Sequence, residues 1–443
     1  MPTDLDDQLT SYFRWIEREV GLPMHKGFVG QSADRPAREP DLVAQAQLID
    51  AARDRARHLR WWTYAAAASL IAGLVVAVAA VGSRQHVTSN SAINSSVTTS
   101  LDMSDTLAPG AAEPLPASPL AGRIDPMAVW TGSTLIVWGG SVPKPTTGES
   151  PFGDGAMYDP LLKVWTMLPA APISPRSNAA AVWTGTEMLI WGGSDNGSSV
   201  FDGAAYSPTE NTWRELPTFD LADTIRPTTI WTGSEMIVFE GFNGSPHAGA
   251  YNPATNTWRT IATPPGRSPA PYPQAVWTGT DVIALLTTGL DDSPIIATYN
   301  PTSDVWEQIP TTLGSGQRPK LLWTGSEVLA FAMSGTAGGA WNPATRTWRT
   351  TAAAPTDQAL DVQPVWTGTS SVFWNGGSTI TTYDPTTDTW TDTAIGQLVN
   401  QRGDGVRVWA NGILLTWGGF ISNPDGTANG ANDGIAWRPN TGS

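Results

Sequence analysis

Val182-Trp183-Thr184-Gly185-Thr186 leads into the apolar run Met188-Leu189-Ile190-Trp191, and this phrase returns along the chain. Trp-Thr-Gly followed by Ser or Thr stands at Trp130, Trp183, Trp231, Trp277, Trp323 and Trp366, and a seventh copy reads Trp409-Ala410-Asn411-Gly412. The steps average about 46 residues, the spacing expected of four-stranded propeller blades. Each of the first six copies is followed by an aromatic residue, then Asx or Ser, then proline. A tryptophan stands seven residues after the aromatic in every case: 158/165, 206/213, 251/258, 299/306, 341/348 and 383/390, with Trp341 replacing tyrosine. Such a cadence predicts seven similar sheets nested about one axis.

Within a repeat, strand A is small and apolar (Ala179–Val182 in the second), as the crowded centre of a propeller demands. Thr-Gly-Ser/Thr makes a tight hairpin, with glycine supplying the positive φ. Strand B (Met188–Trp191) ends in Gly192-Gly193, strand C is Ala204-Ala205-Tyr206, and Ser207-Pro208 turns the chain into strand D at Trp213. The constant spacing predicts one C–D turn geometry throughout, and the tryptophans read as packing between blades. A double glycine closing strand B, a tyrosine, and a tryptophan seven residues later resemble the kelch repeat over residues 112–443. The glycine pair stands at Gly139-Gly140, Gly192-Gly193, Gly376-Gly377 and Gly418-Gly419. It is degraded to Glu240-Gly241, Thr288-Gly289 and Ser334-Gly335 in repeats three to five. The seventh repeat ends at Trp437-Arg438-Pro439 without a strand D. The segment Glu113-Pro114-Leu115-Pro116 parallels Glu215-Leu216-Pro217 and is expected to complete it, removing the open edge. The fold expected is therefore all-β: a seven-bladed kelch-like β-propeller closed by an N-terminal strand.

Upstream, residues 3–20 read as an amphipathic helix, with Leu5, Leu9, Tyr12, Phe13, Ile16 and Val20 on one face and Gly21 and Pro23 as the stop. Residues 24–40 read as a loop, and a second helix is expected from Asp41 to Arg60. Trp61–Ser83 carries no charge, and a helix of that length reaches across a hydrocarbon core of about 30 Å. Arg53, Arg55, Arg57 and Arg60 precede it, while Arg84 alone follows before Arg123. The positive-inside rule then places residues 1–60 in the cytoplasm and the propeller outside, on a single-pass protein of the cell membrane. Residues 84–111, rich in Ser, Thr and Ala, are expected to form a flexible linker.

The net charge is −15, and all of it lies in residues 85–443, because residues 1–84 hold ten Lys/Arg against ten Asp/Glu. An acidic body disfavours nucleic acid as a partner. With no cysteine there are no disulfides and no thiol chemistry, and the histidines are His25, His58, His86 and His247. No cofactor and no metal are expected.

Strand parity puts the A–B and C–D turns on one end of the propeller and the B–C and D–A connections on the other. From the strand A tryptophan to the strand C aromatic is 28, 23, 20, 22, 18, 17 and 28 residues in repeats one to seven. The long loops thus gather in adjoining blades seven, one and two, and function concentrates in variable loops on a rigid scaffold. The same blades share an Asp-Gly four residues before the strand C aromatic, at Asp154, Asp202 and Asp433. These read as turn residues or as part of a cation or polar-ligand site, although no calcium-loop consensus is met. The D–A connections carry Arg123, Arg176, Arg226, Arg267, Arg318 and Arg402. In one reading these brace neighbouring blades through carbonyls. In the other they capture a carboxylate or acidic glycan by bidentate contacts.

The resemblance implies a non-catalytic module, anchored and extracytoplasmic, whose B–C/D–A face binds a protein, a peptide or a glycan. The alternative it implies is a sugar-active enzyme of mutarotase or epimerase type, with Asp154 or Asp202 in acid–base roles. An oxidase resembling galactose oxidase is excluded, since its crosslink needs a cysteine. A third reading makes the propeller the sensor of a single-pass signalling protein, with a cytoplasmic partner for residues 1–60.

Overall fold

The computed structural model describes residues 107–142, 150–221, 225–239, 247–266, 274–286, 295–311, 319–331, 336–355, 362–374, 377–396, 398, 402–403, 405–422 and 428–440. The expected helices at 3–20 and 41–60, the loop 24–40, the span 61–83 and the linker as far as residue 106 lie outside them. Among the described residues no helix is long and apolar enough to cross a membrane.

Seven four-stranded antiparallel sheets follow one another along the chain. Blade 1 is Met127–Trp130, Leu135–Trp138, Gly155–Asp159 and Val164–Met167; blade 2 is Ala180–Trp183, Met188–Trp191, Gly203–Ser207 and Thr212–Leu216. Blades 3 to 6 repeat the plan from Thr228, Gln274, Lys320 and Val365. Blade 7 takes Val406–Ala410, Ile413–Trp417 and Gly434–Trp437, and its outermost strand is Ala112–Pro114. That strand pairs Ala112 with Trp437 and Pro114 with Ile435, so the expected N-terminal closure is present. Contacts with the propeller begin before residue 112. Leu107 is buried in the cluster between blades 7 and 1, the Gly110 N–H donates to the Arg438 carbonyl, and Arg438 Nη1 donates to the Leu107 carbonyl at 2.9 Å. Each strand A neighbours strand A of the next blade, and that of blade 7 neighbours that of blade 1. The ring is closed.

The apolar core lies between blades. Met127, Val129, Ile136 and Trp138 of blade 1 meet Met188, Ile190, Ala204 and Tyr206 of blade 2 in one buried cluster, and a comparable cluster fills each of the other six junctions. Strands A to C are therefore almost continuously apolar, because both faces of each sheet are covered.

The marks read from the sequence each have a mechanical role. The A–B glycines sit at φ between 94° and 101°, where an L side chain is strained, and Gly132 and Gly185 meet nothing that a Cβ would strike. The C–D turn has one geometry in all six complete blades: Lys163, Asn211, Asn256, Asp304, Arg346 and Asp388 hold φ of 54–56°. Across it the strand C and strand D rings pack at 4.9–5.6 Å between centroids, each pair worth about 0.5–1.5 kcal/mol beyond its buried area. The strand D indoles also reach the preceding blade. Trp165, Trp213, Trp258, Trp306 and Trp390 donate Nε1–H to the carbonyls of Pro116, Pro169, Pro217, Ala262 and Ala352 at 2.8–3.2 Å. These tryptophans pack and pin blades together, as the sequence suggested. Trp348, whose strand C partner is Trp341 rather than tyrosine, leaves its Nε1 buried without a partner.

A polar girdle runs round the same end. Tyr206, Tyr251, Tyr299 and Tyr383 donate to the turn residue five positions on, at 2.7–2.8 Å. Arg214, Arg259 and Arg349 of strand D clamp Glu187, Glu235 and Glu327 of their own A–B turns at 2.7–2.8 Å. Arg214 also donates to Tyr251 Oη of the next blade at 2.9 Å. Where the turn residue is basic, the charges are exchanged: Lys163 pairs with Glu113, and Arg346 with Glu307, each on strand D of the preceding blade. Burial, followed by the negative charges of Glu113 and Asp159, pushes the Tyr158 hydroxyl up to about 12. Burial and the bond to Asp388 push Tyr383 up to about 12 against the opposing pull of Arg349. At Asp304 burial acts upward, but the Ala262 N–H, the Tyr299 hydroxyl and the Arg259 charge outweigh it and hold the carboxyl below its usual range.

Candidate functional site

At the other end, among the described residues, blades 7, 1 and 2 carry strands beyond the four of each blade. Their B–C loops continue as small sheets: Ser141–Val142 with Ser150–Pro151, Ser194–Asp195 with Ser198–Ser199, and Arg402–Gly403 with Phe420–Ser422 and Ala428–Gly430. The described parts of the long loops thus form hairpin-like extensions. They also lean on one another, since Ala428–Gly430 neighbours Ser141–Val142 and Ser150–Pro151 neighbours Ser194–Asp195. Gly122 and Gly430 approach backbone to backbone, closer than a Cβ on either would allow.

Two of the expected arginines form the base of this sector. Arg123 reaches Asp154 bidentately, Nη1 to Oδ1 at 2.8 Å and Nη2 to Oδ2 at 3.3 Å, and Nη1 also donates to the Gly139 carbonyl at 3.0 Å. Phe152 covers its guanidinium at 4.1 Å. Arg176 lies 2.8 Å from Asp202 Oδ1, a contact ionic in character, and donates to the carbonyls of Gly192 and Asp202 at 3.2 Å each. Both arginine side chains are 0% exposed, whereas the Asp154 and Asp202 side chains are 44% and 42% exposed. Burial lowers the Arg123 pKa, and the hydrogen bond and charge of Asp154 oppose that shift. The guanidinium groups therefore staple the end of strand B to the start of strand C within their own blade. One of the two sequence readings had them bracing neighbouring blades, the other capturing a ligand. That task falls to the backbone, where the N–H groups of Gly140 and Gly419 donate to the carbonyls of Arg176 and Arg123 of the following blade.

The Asp-Gly pairs have one role in three blades. The N–H groups of Gly139, Gly192 and Gly418 donate to the carbonyls of Asp154, Asp202 and Asp433, each at 3.0 Å. A Cβ on Gly155, Gly203 or Gly434 would fall within 3 Å of a strand B carbonyl oxygen, so only glycine admits this approach. The aspartates thus close their own loops, and in blades 1 and 2 their carboxylates are also held from below by a buried cation.

Arg226 occupies a different place. Strand register aligns it with Asp125 and Asn178, two residues past Arg123 and Arg176. All three residues have positive φ, 48°, 54° and 55° for Asp125, Asn178 and Arg226. The Arg226 side chain bridges three blades where their innermost strands begin: Nε to Asn178 Oδ1 at 2.7 Å and Nη2 to Asp125 Oδ2 at 3.2 Å. Arg402 opens the three-stranded extension of blade 7, while Arg267 and Arg318 lie outside the described residues. His247 is exposed at the start of strand C of blade 3, and no group of three or more His, Cys, Asp or Glu suited to a metal occurs among the described residues. Asp125, Asn178 and the exposed Phe201 beside Asp202 belong to this end and were not singled out from the sequence. Counting back from the Trp-Thr-Gly tryptophan finds the first two. Arg123, Arg176 and Arg402 stand seven residues before it, whereas Arg226 and Arg318 stand five before and Arg267 ten before.

The Kelch motif family matches residues 175–219, which carry Arg176, Gly192-Gly193, Asp202, Tyr206 and Trp213 of blade 2. No curated protein matches the chain. Among solved structures, that of YjhT is similar at 14% identity and a TM-score of 0.43, covering 72% of this chain and 95% of that one. The protein is a seven-bladed β-propeller that carries a kelch motif in its second blade, with its six further blades built on the same plan.

Proposed function

We propose that the protein is a membrane-anchored, extracytoplasmic binding module that takes a protein, peptide or glycan partner on the B–C/D–A end of blades 7, 1 and 2. The observation that carries this reading is the set of neighbouring loop extensions that, among the described residues, occur in that sector. Kelch propellers generally bind proteins. A recognition surface gains affinity when its polar groups are held in place before the partner arrives. Asp154 and Asp202 meet that condition, because buried arginines fix carboxylates that are still open to solvent. Phe201 adds an exposed ring beside Asp202, the kind of apolar anchor that peptide and sugar sites use. Arg226 offers the accessible cation that Arg123 and Arg176 do not, its side chain being 32% exposed. The anchor rests on the uncharged segment Trp61–Ser83 and the arginines before it.

The test is a peptide and glycan array probed with the full-length protein in detergent, followed by Phe201→Ala, Arg226→Gln and Asp154→Asn variants whose melting is checked in parallel. Saturable binding to at least one ligand, weakened tenfold or more by these changes, is expected. Wild-type binding in all three folded variants removes the sector from consideration.

A further inference from the structure

Blade 1 differs from its neighbours at the girdle end as well. Its C–D turn reads Asp159-Pro160-Leu161-Leu162-Lys163-Val164. The residues after proline are Thr209-Glu210, Ala254-Thr255, Thr302-Ser303, Ala344-Thr345 and Thr386-Thr387 in blades 2 to 6. The turn geometry is the same in all six, so nothing in the backbone asks for leucine here. Leu161, Leu162 and Val164 are 42%, 71% and 51% exposed. A run of apolar side chains left in water at a protruding turn, with a lysine among them, has the composition of a surface that rests on a bilayer.

Its position supplies the second argument. The turn lies beside the place where the N-terminal part of the chain joins the propeller. Lys163 pairs with Glu113, Trp165 donates to the Pro116 carbonyl, and Leu107 shares a cluster with Tyr158 and Trp165. Strand D of blade 7 runs away from this end, so the described chain enters the propeller at this end and not at the loop-rich end. We propose that the Leu161-Leu162 turn of blade 1 is a lipid-contact surface that sets the girdle end of the propeller against the bilayer and turns the B–C/D–A loops outward. This rests on the membrane anchor of the proposed function.

The chain has no cysteine, so a single probe site is unambiguous. Full-length Leu162→Cys carrying an environment-sensitive fluorophore is reconstituted into phosphatidylcholine–phosphatidylglycerol vesicles. Val305→Cys serves for comparison, being the exposed apolar residue beside the equivalent turn of blade 4. The proposal expects blue-shifted emission at position 162, quenched at least twofold more by nitroxide lipids than at position 305, and relieved when Leu161→Glu is added. Equal, water-like emission at both sites, in protein that stays with the vesicles through alkaline carbonate, overturns the contact while the anchor stands. Protein released by carbonate overturns both. A blue shift that appears in detergent and grows with protein concentration assigns the turn to a second copy of the chain, and likewise ends the lipid reading.

Discussion

The two ends of this propeller solve one problem, holding strands of a blade in place, with arginine–carboxylate contacts of opposite character. At the girdle end, Arg214, Arg259 and Arg349 lie half in solvent, grip glutamates of their own A–B turn, and reach toward the next blade. At the loop end, Arg123 and Arg176 are wholly buried and spend several donors on carbonyls, and the solvent meets only their aspartate partners. The first kind repeats where blades are alike. The second kind is found where the loops are long. Exposed pairs tolerate variation because each contributes little, whereas a buried cation must have every donor met and so fixes its surroundings.

That contrast is open to measurement, and the largest effect belongs to the buried set. Arg176→Ala, which leaves two carbonyls and a carboxylate without their cation, is expected to lower unfolding stability by about 3–5 kcal/mol, read from denaturant midpoints of the full-length protein. A loss under 1 kcal/mol would make the two ends equivalent. Next comes alkaline pH, read at the buried tyrosines of the girdle end. The folded-state pKa values of Tyr158 and Tyr383 are raised to about 12 from an ordinary 10. Their contribution is therefore fully present below pH 10 and is lost as pH rises toward 12, by roughly 2–3 kcal/mol for each tyrosine. Melts between pH 8 and 11.5, with tyrosinate absorbance as the second readout, check this. A flat profile across that window would contradict it.

Trp258→Phe should cost about 1–2 kcal/mol, since it removes the indole bond to the Pro217 carbonyl but keeps a ring at the junction. The same change at Trp348, whose indole nitrogen has no partner, should cost less. The smallest effect is expected for Arg214→Ala, at most about 1 kcal/mol and reduced further by salt. If Arg214→Ala matched Arg176→Ala, exposure would not be the property that separates the two ends.

Much of this was legible in the sequence because the repeat is internal. The Trp-Thr-Gly hairpin, the double glycine and the seven-residue Tyr-to-Trp spacing fixed blade number, strand order and turn type, and the unfinished seventh repeat pointed to the strand near Leu115. The arginines were seen, and so were Asp154 and Asp202. Their pairing was not, because the partners are 26 to 31 residues apart and meet only once strands B and C are laid side by side. Grouping Arg226 with Arg123 and Arg176 overlooked a two-residue shift in register, which moves its side chain from the blade base to the innermost strands. The hairpins in the long loops left no clear mark either, since two-residue strands are too short to show a period.

Closing the ring with residues Ala112–Pro114 has a consequence during synthesis. Those residues leave the ribosome before any blade, while their hydrogen-bonding partners in Gly434–Trp437 appear only after the first six blades. Until then the closing strand waits unpaired, and once the seventh sheet begins to form it has a bare outer edge. A chain truncated before Gly434 should therefore expose the closing strand and the bare edge of Ile413–Trp417 at once. It is then poised to pair with another unfinished copy, which makes the strand Gly434–Trp437 a checkpoint for solubility out of proportion to its length.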